Sequence, residues 1–233
     1  MEMNHLQITD IDFSYPSQRQ VLSRFNLSLA EGSVTCLLGP SGSGKSTLLH
    51  LFAGLLKPDA GNISGVDPNA TSIIFQETRI LPWKSVLENV MFPLLNRMTK
   101  QEARRLAGKF INMMHLENEA GFFPAHLSGG MRQRIAIARA FAYPSSLILM
   151  DEAFRGLDPV LKKHILENFL EIWKENRRTV VFVTHDIDEA LLVGQEIIVL
   201  NGPPLSVALR MDVSKSEVED AEVRSRILKA LAQ

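Results

Sequence analysis

The chain has 233 residues, of which 45% are apolar and 22% charged, the proportions of a globular protein long enough to bury a sizeable core; disordered, collagen-like and disulfide-scaffold classes are excluded. Its 25 basic and 26 acidic side chains leave a formal charge of −1, so no global field draws it to nucleic acid or anionic lipid. One cysteine, Cys36, excludes an internal disulfide and a thiolate metal site.

Met1-Glu2-Met3-Asn4-His5 shows neither the basic start nor the apolar run of a signal peptide. No apolar stretch reaches the roughly 18 residues that cross a bilayer. The expectation is a protein of the cytosol, or one docked on a membrane from the cytosolic side through a protein partner. Leu6 to Ile11 alternates loosely. After a turn around Pro16-Ser17, Val21, Phe25, Leu27 and Leu29 continue with period two, which predicts strands. Val34 to Leu38 is almost wholly apolar, as in a strand buried on both faces, with Cys36 a small buried residue within it. A glycine-rich loop follows, then a helix from Ser46 to about Leu55. Pro58-Asp59-Ala60-Gly61 punctuates the chain, and Thr71 to Phe75 is another short strand.

From 85 to 142 strand signals are few. Thr99-Lys100-Gln101-Glu102 has capping-box spacing and opens a helix toward Met114. Ser128 caps a second helix, whose Met131, Ile135, Ala138 and Ala142 share one face. Beyond Tyr143-Pro144 the alternation of strand and helix returns. Leu147 to Met150 is a strand, Asp158-Pro159 starts a helix to about Glu175, and Val180 to Thr184 is a strand. Asp186 with Glu189 starts a helix, Ile197–Leu200 and Ser206–Leu209 are the last strands, and a final helix follows Ser214-Lys215-Ser216-Glu217. The pattern is an α/β core carrying a helical insertion at about 77–143, with residues 1–233 read as a single unit.

Gly39-Pro40-Ser41-Gly42-Ser43-Gly44-Lys45-Ser46 fits the P-loop pattern. Glycines let backbone N–H groups close around phosphate oxygens, and the helix behind them aims its positive end at the same point. Lys45 then reaches the β- and γ-phosphates, and the Ser46 hydroxyl ligates Mg²⁺; with Thr47, these nine residues are the candidate nucleotide contacts. Leu147-Ile148-Leu149-Met150-Asp151-Glu152 places two carboxylates at a strand end. Asp151 is the candidate metal-orienting group and Glu152 the general base that polarises water. In Leu127-Ser128-Gly129-Gly130-Met131-Arg132-Gln133-Arg134, two glycines weaken a helix start by about 1 kcal/mol each. That cost makes sense if Ser128 and the Gly129 and Gly130 amides touch something bulky and anionic.

With these motifs in order, the sequence resembles the nucleotide-binding subunit of an ATP-binding cassette (ABC) transporter from about Leu6 to Leu209, and residues 127–134 are similar to that family's signature. The resemblance implies a P-loop NTPase core with an N-terminal antiparallel β subdomain and an inserted helical subdomain. It implies ATP and Mg²⁺ as cofactors, hydrolysis of ATP, and a homodimer that sandwiches nucleotide between one P-loop and the other copy's Ser128 region. Membrane-spanning permease subunits would be the partners, with an extracytoplasmic substrate-binding protein acting indirectly, at the cytoplasmic face of a membrane. It further implies that Tyr15 stacks on adenine and that Gln76 senses metal and γ-phosphate. Asp158 would lie at the dimer interface, and His185, 33 residues after Glu152, would contact γ-phosphate. The sequence departs from the family at Ala153, where proline is common, and at Arg155-Gly156, where small residues are usual; the hairpin near Gly61 to Ala70 is expected to be trimmed, and few residues remain after Leu209 for an added domain.

Two other classes share the P-loop. An ABC-type ATPase acting on DNA carries a long coiled-coil or zinc-binding insertion, whereas Lys45 and Ser128 are 83 residues apart with no cysteine cluster or basic patch between them. A soluble kinase has no use for Leu127 to Gln133. Within transporters, an exporter cassette is the alternative to an importer. Thr78 to Val90 is similar to the matching stretch of nitrate-, sulfonate- and taurine-type importer ATPases. There Leu81, Pro82 and Trp83 form either an apolar socket for the permease or ordinary packing of the helical subdomain.

Overall fold

The computed structural model describes residues 6–16, 20–213 and 220–232. The Met1–His5 segment, Ser17 of the expected turn and the Ser214–Glu217 helix start lie outside the described residues. Two sheets organise the fold. The smaller is antiparallel, in the order β2 (Gln20–Leu29), β1 (Leu6–Ser14), β4 (Ala60–Ser64). Ile8 faces Leu27 on one side and Ile63 on the other, and register shifts after Ile8 keep Ile11 and Phe13 on the buried face. The expected trimmed hairpin is therefore one strand, β4, which borrows its partner from the start of the chain.

The larger sheet runs β5 (Thr71–Ile74), β6 (Leu147–Asp151), β7 (Thr179–Val183), β3 (Val34–Leu38), β8 (Glu196–Asn201), β9 (Ser206–Asp212); all pairs are parallel except β8 with β9. Every residue of β3, β6 and β7 is buried, because both faces are covered. Alternate residues serve opposite cores. Leu37, Leu149, Val181 and Val183 pack with the small sheet and helix α1 (Lys45–Phe52). Cys36, Leu38, Ile148, Met150, Val180 and Phe182 point the other way. Burial pushes the Cys36 thiol far up from its ordinary range, with the Glu189 charge adding to it, so it behaves as an apolar residue.

On that second side α2 (Val86–Met91), α3 (Lys100–Met113) and α4 (Gly129–Ala142) pack on one another, joined by α5 (Pro159–Asn176), α6 (Ile187–Val193) and α7 (Asp220–Leu231). The expected capping box at Thr99 and Glu102 forms, and Ser128 accepts from the Met131 amide. Helix α2 is an addition to the sequence reading, although its own capping box, Ser85 with Glu88, is spelled in the chain. Parallel pairing carries the carboxyl ends of β5, β6, β7 and β3 to one sheet edge, where open α/β sheets place their ligands.

Candidate nucleotide site

Beyond the end of β3, residues Gly39 to Gly44 turn over the start of α1. A Cβ at Gly39 would sit 2.2 Å from the Leu200 carbonyl oxygen, and Gly42 holds φ at +79°, so both positions require glycine. No side chain caps α1, which leaves its first N–H groups to an anion. Lys45 is 7% exposed, and its Nζ donates to the carbonyls of Gly39 (2.9 Å) and Pro40 (2.7 Å) and to Ser43 Oγ (3.3 Å). Burial pulls the Lys45 ammonium below the ordinary lysine range, and the carboxylates of Glu152 and Asp151 oppose that shift. A buried cation inside a ring of amides is an anion receptor.

Asp151 closes β6 at 4% exposure. Burial holds its carboxyl above the usual range, against a hydrogen bond with Ser46. Ser46 and Asp151 thus form a pair of hard oxygen donors beside the loop, the chemistry Mg²⁺ takes when it keeps water and phosphate ligands. Glu152, with φ +46°, turns the chain out of the strand while its amide donates to the Val183 carbonyl at 2.9 Å. Its carboxylate gathers three neighbours: Arg155 Nη1 at 3.1 Å, Gln76 Nε2 at 3.4 Å and His185 Nδ1 at 3.6 Å. Tyr15 completes the surroundings, its hydroxyl 3.2 Å from Thr47 Oγ1 and its ring edge-on to Phe13 at 5.0 Å.

The resulting cleft holds about 390 Å³ and is lined by Tyr15, Ser41, Lys45, Ser46, Gln76 and Glu152, among others. Three of its lining residues, Val21, Arg155 and Pro203, were not among the candidates. Arg155 was legible as a departure in charge, but its place in the cleft needed the turn. Val21 and Pro203 carry no sequence signal. Ser128, Gly129 and Gly130 do not line the cleft; Ser128 is exposed at the start of α4. Asp158 also lies off the cleft and caps α5, accepting from the Val160 (3.0 Å) and Leu161 (3.1 Å) amides.

A second polar network supports the His185 turn. Lys162 Nζ donates to Asp186 Oδ2 (2.7 Å) and Glu189 Oε1 (2.8 Å), and the Thr184 hydroxyl donates to Glu189 Oε2 (2.6 Å). Burial works against the Lys162 charge, but hydrogen bonds and charge from Asp186 and Glu189 outweigh it and hold the ammonium above its usual range. Burial likewise opposes Asp186, which Lys162 nonetheless brings below the usual carboxyl range.

A buried lysine in an amide loop, a helix start without a cap and an acidic strand end define a P-loop nucleoside triphosphatase. The chain belongs to the ABC transporter family, whose profile matches residues 22–155, and it is an ATP-binding, ATP-hydrolysing cassette of that family. It is 39% identical over 202 residues to the taurine import ATP-binding protein TauB of Chromobacterium violaceum, covering 83% of this chain and 77% of that one. It is 36% identical to the aliphatic sulfonates import ATP-binding protein SsuB of Shigella flexneri, covering 89% and 84%. To the bicarbonate transport ATP-binding protein CmpD of a Synechocystis strain it is 34% identical, covering 96% and 83%. Among solved structures, the dimeric post-hydrolysis state of the cassette MJ0796 bound to ADP and Pi superposes with a TM-score of 0.80 at 31% identity, covering 89% of this chain and 98% of that one.

Proposed function

We propose that this chain is the ATP-hydrolysing subunit of a membrane importer for a small oxyanion-bearing solute, in which two copies enclose two ATP molecules. The carrying observation is a division of labour: Lys45, Gln76 and Glu152 line one cleft and His185 stands 3.6 Å from Glu152, while the exposed phosphate-type helix start at Ser128 does not line it. A second copy supplies that missing wall, with Ser128, Gly129 and Gly130 toward the γ-phosphate and Asp158 at the interface. The taurine, sulfonate and bicarbonate names of the relatives motivate the solute class.

Chemically, Lys45 trades its loop carbonyls for β- and γ-phosphate oxygens, and the first amides of α1 share the charge. Ser46, Asp151 and Gln76 would hold Mg²⁺, which would supply positive charge against the phosphates. Glu152 accepts a proton from the attacking water, and His185 steadies the γ-phosphate side of that water. Tyr15 gives the adenine a ring to stack on.

Residues 77–143 are read as a helical subdomain that meets the permease at the cytoplasmic face of the membrane, with a substrate-binding protein acting on the far side. No described helix is long and apolar enough to cross a membrane; membrane-spanning permease subunits are the assigned partners. Within 86–142 the longest described helices have 14 residues, too short for the coiled coil of a DNA-acting relative.

Glu152→Gln tests the reading. ATP binding should persist, turnover should fall at least about 100-fold for loss of a general base, and Mg·ATP should shift the chain to a dimer in size exclusion. Turnover near the wild-type rate would remove Glu152 from its role.

A further inference from the structure

The turn from Glu152 to Arg155 sorts its four side chains in pairs. Ala153 and Phe154 point into the core at 0% and 1% exposure, Phe154 edge-on to Phe182 at 5.5 Å. Glu152 and Arg155 point to the nucleotide cleft. The Arg155 amide donates to the Glu152 carbonyl at 3.1 Å, and the Glu152 amide is tied to β7 through Val183. The arginine backbone is therefore fixed, while its guanidinium, 61% exposed, has room to move. Its partner carboxylate is 16% exposed. Among the side chains in contact with the Glu152 carboxylate, Arg155 brings a permanent positive charge and Gln76 a neutral amide.

We propose that Arg155 is a positioning residue that switches between two anions, the Glu152 carboxylate and the terminal phosphate of ATP. The inference rests on the reading of Glu152 as general base. While Arg155 holds Glu152, the carboxylate is oriented but its Oε2 is occupied. An exposed ion pair of this kind favours its partners by only about two- to fivefold. A terminal phosphate offers more charge and a matching set of oxygens to the planar fork, so it wins the guanidinium when ATP enters. Glu152 Oε2 then keeps only the 3.4 Å bond from Gln76 Nε2 and has a lone pair open to a proton from water. ADP has no γ-phosphate, so Arg155 returns to the carboxylate once hydrolysis is complete and the released phosphate has left. Arg155 thereby makes the free base a consequence of ATP and not of ADP.

The test measures equilibrium binding of Mg·ADP and of the Mg complex of a β,γ-imido ATP analogue to the full chain. Arg155→Ala should weaken the analogue about tenfold and ADP less than about twofold, with a melt close to wild type. Arg155→Lys should recover most of the analogue's affinity. Glu152→Gln should tighten the analogue a few-fold by removing the competing charge, and adding Arg155→Ala should erase that gain. Unchanged analogue binding in Arg155→Ala, or equal losses for both nucleotides with a lowered melt, would overturn the proposal. Wild-type turnover in Glu152→Gln would instead unseat the base assignment, and the ratio of analogue to ADP affinity would still report on Arg155.

Discussion

Gln133, one turn into the helix that Ser128 caps, donates from Nε2 to the carbonyl of Ala153 at 2.7 Å. Both residues are buried, Gln133 at 5% and Ala153 at 0%. A single hydrogen bond thus joins the helix expected to face a partner's nucleotide to the turn that carries Glu152 of its own cleft. Gln133→Leu fills similar space but leaves the Ala153 carbonyl buried without a donor, which costs roughly 1–3 kcal/mol. The expected result is a melting temperature lower by about 3–10 °C and slower turnover with nearly unchanged ATP binding. A melt within a degree of wild type would show that the bond carries little.

Trp83 is 70% exposed, which excludes the alternative that it packs the helical subdomain. Phe92, Phe122 and Phe123 are 51%, 51% and 44% exposed, and Lys84 Nζ lies 5.5 Å over the Phe92 ring. The Val86 amide bonds the Phe122 carbonyl, so these rings belong to one neighbourhood. Trp83→Ala should move the melt of the isolated chain by no more than about 2 °C, as for a surface substitution. In the proposed assembly it should weaken capture of the permease by roughly 2 kcal/mol, about 30-fold. Pull-down with the permease and transport in vesicles read the second effect; full assembly would take Trp83 out of the docking surface.

Lys162→Met removes the cation shared by Asp186 and Glu189, the latter 6% exposed. Roughly 2 kcal/mol of stability should be lost near neutral pH, since a nearly buried carboxylate loses a partner. The pH dependence has two ends. Lys162 is raised in the fold, so its contribution is complete below the unfolded lysine value near ~10.4 and disappears as pH rises through the folded value above it. Asp186 is depressed, so its share is complete above the unfolded value near ~3.9 and disappears as pH falls through the lower folded value. Denaturant melts of both proteins should therefore differ by a constant amount from about pH 5 to 9 and converge outside that range. A difference that varied across neutral pH would point to another group.

Much of this architecture is legible because its signals are local. Val34 to Leu38 has no polar alternation, the loop after it spells its backbone needs in glycine, and Thr99 with Glu102 announces a helix within four residues. The Thr71–Ile74 and Leu147–Asp151 strands fall within a residue or two of their expected bounds. The residues of β4 carry no strand pattern of their own, and only the resemblance points to β structure there: Gly61, Asn62 and Ser64 are exposed, and pairing with Thr9 and its neighbours makes the strand. Helix α2 is only six residues long, so its apolar face is too brief to show a period beside its capping box. The Lys162–Glu189 pair spans 27 positions and two helices, and nothing in either segment names the other.

The segment after Gln76 is gripped at both ends. Arg139 of α4 donates to the Arg79 carbonyl at 2.6 Å, and the Arg79 guanidinium lies 3.7 Å from the centre of the Phe75 ring. Further on, Asn89, 0% exposed, takes the Leu81 amide on its side-chain oxygen and donates to the carbonyls of Leu81, Lys84 and Ser85. Between Gln76 and the first clamp only Glu77 and Thr78 are left as slack. In the proposed mechanism a shift of Gln76 therefore meets little slack, and it reaches the Trp83 segment, α2 and α4 through these two clamps. The proposed coupling would thus run through the bonds of Arg139 and Asn89, two side chains that do not line the nucleotide cleft.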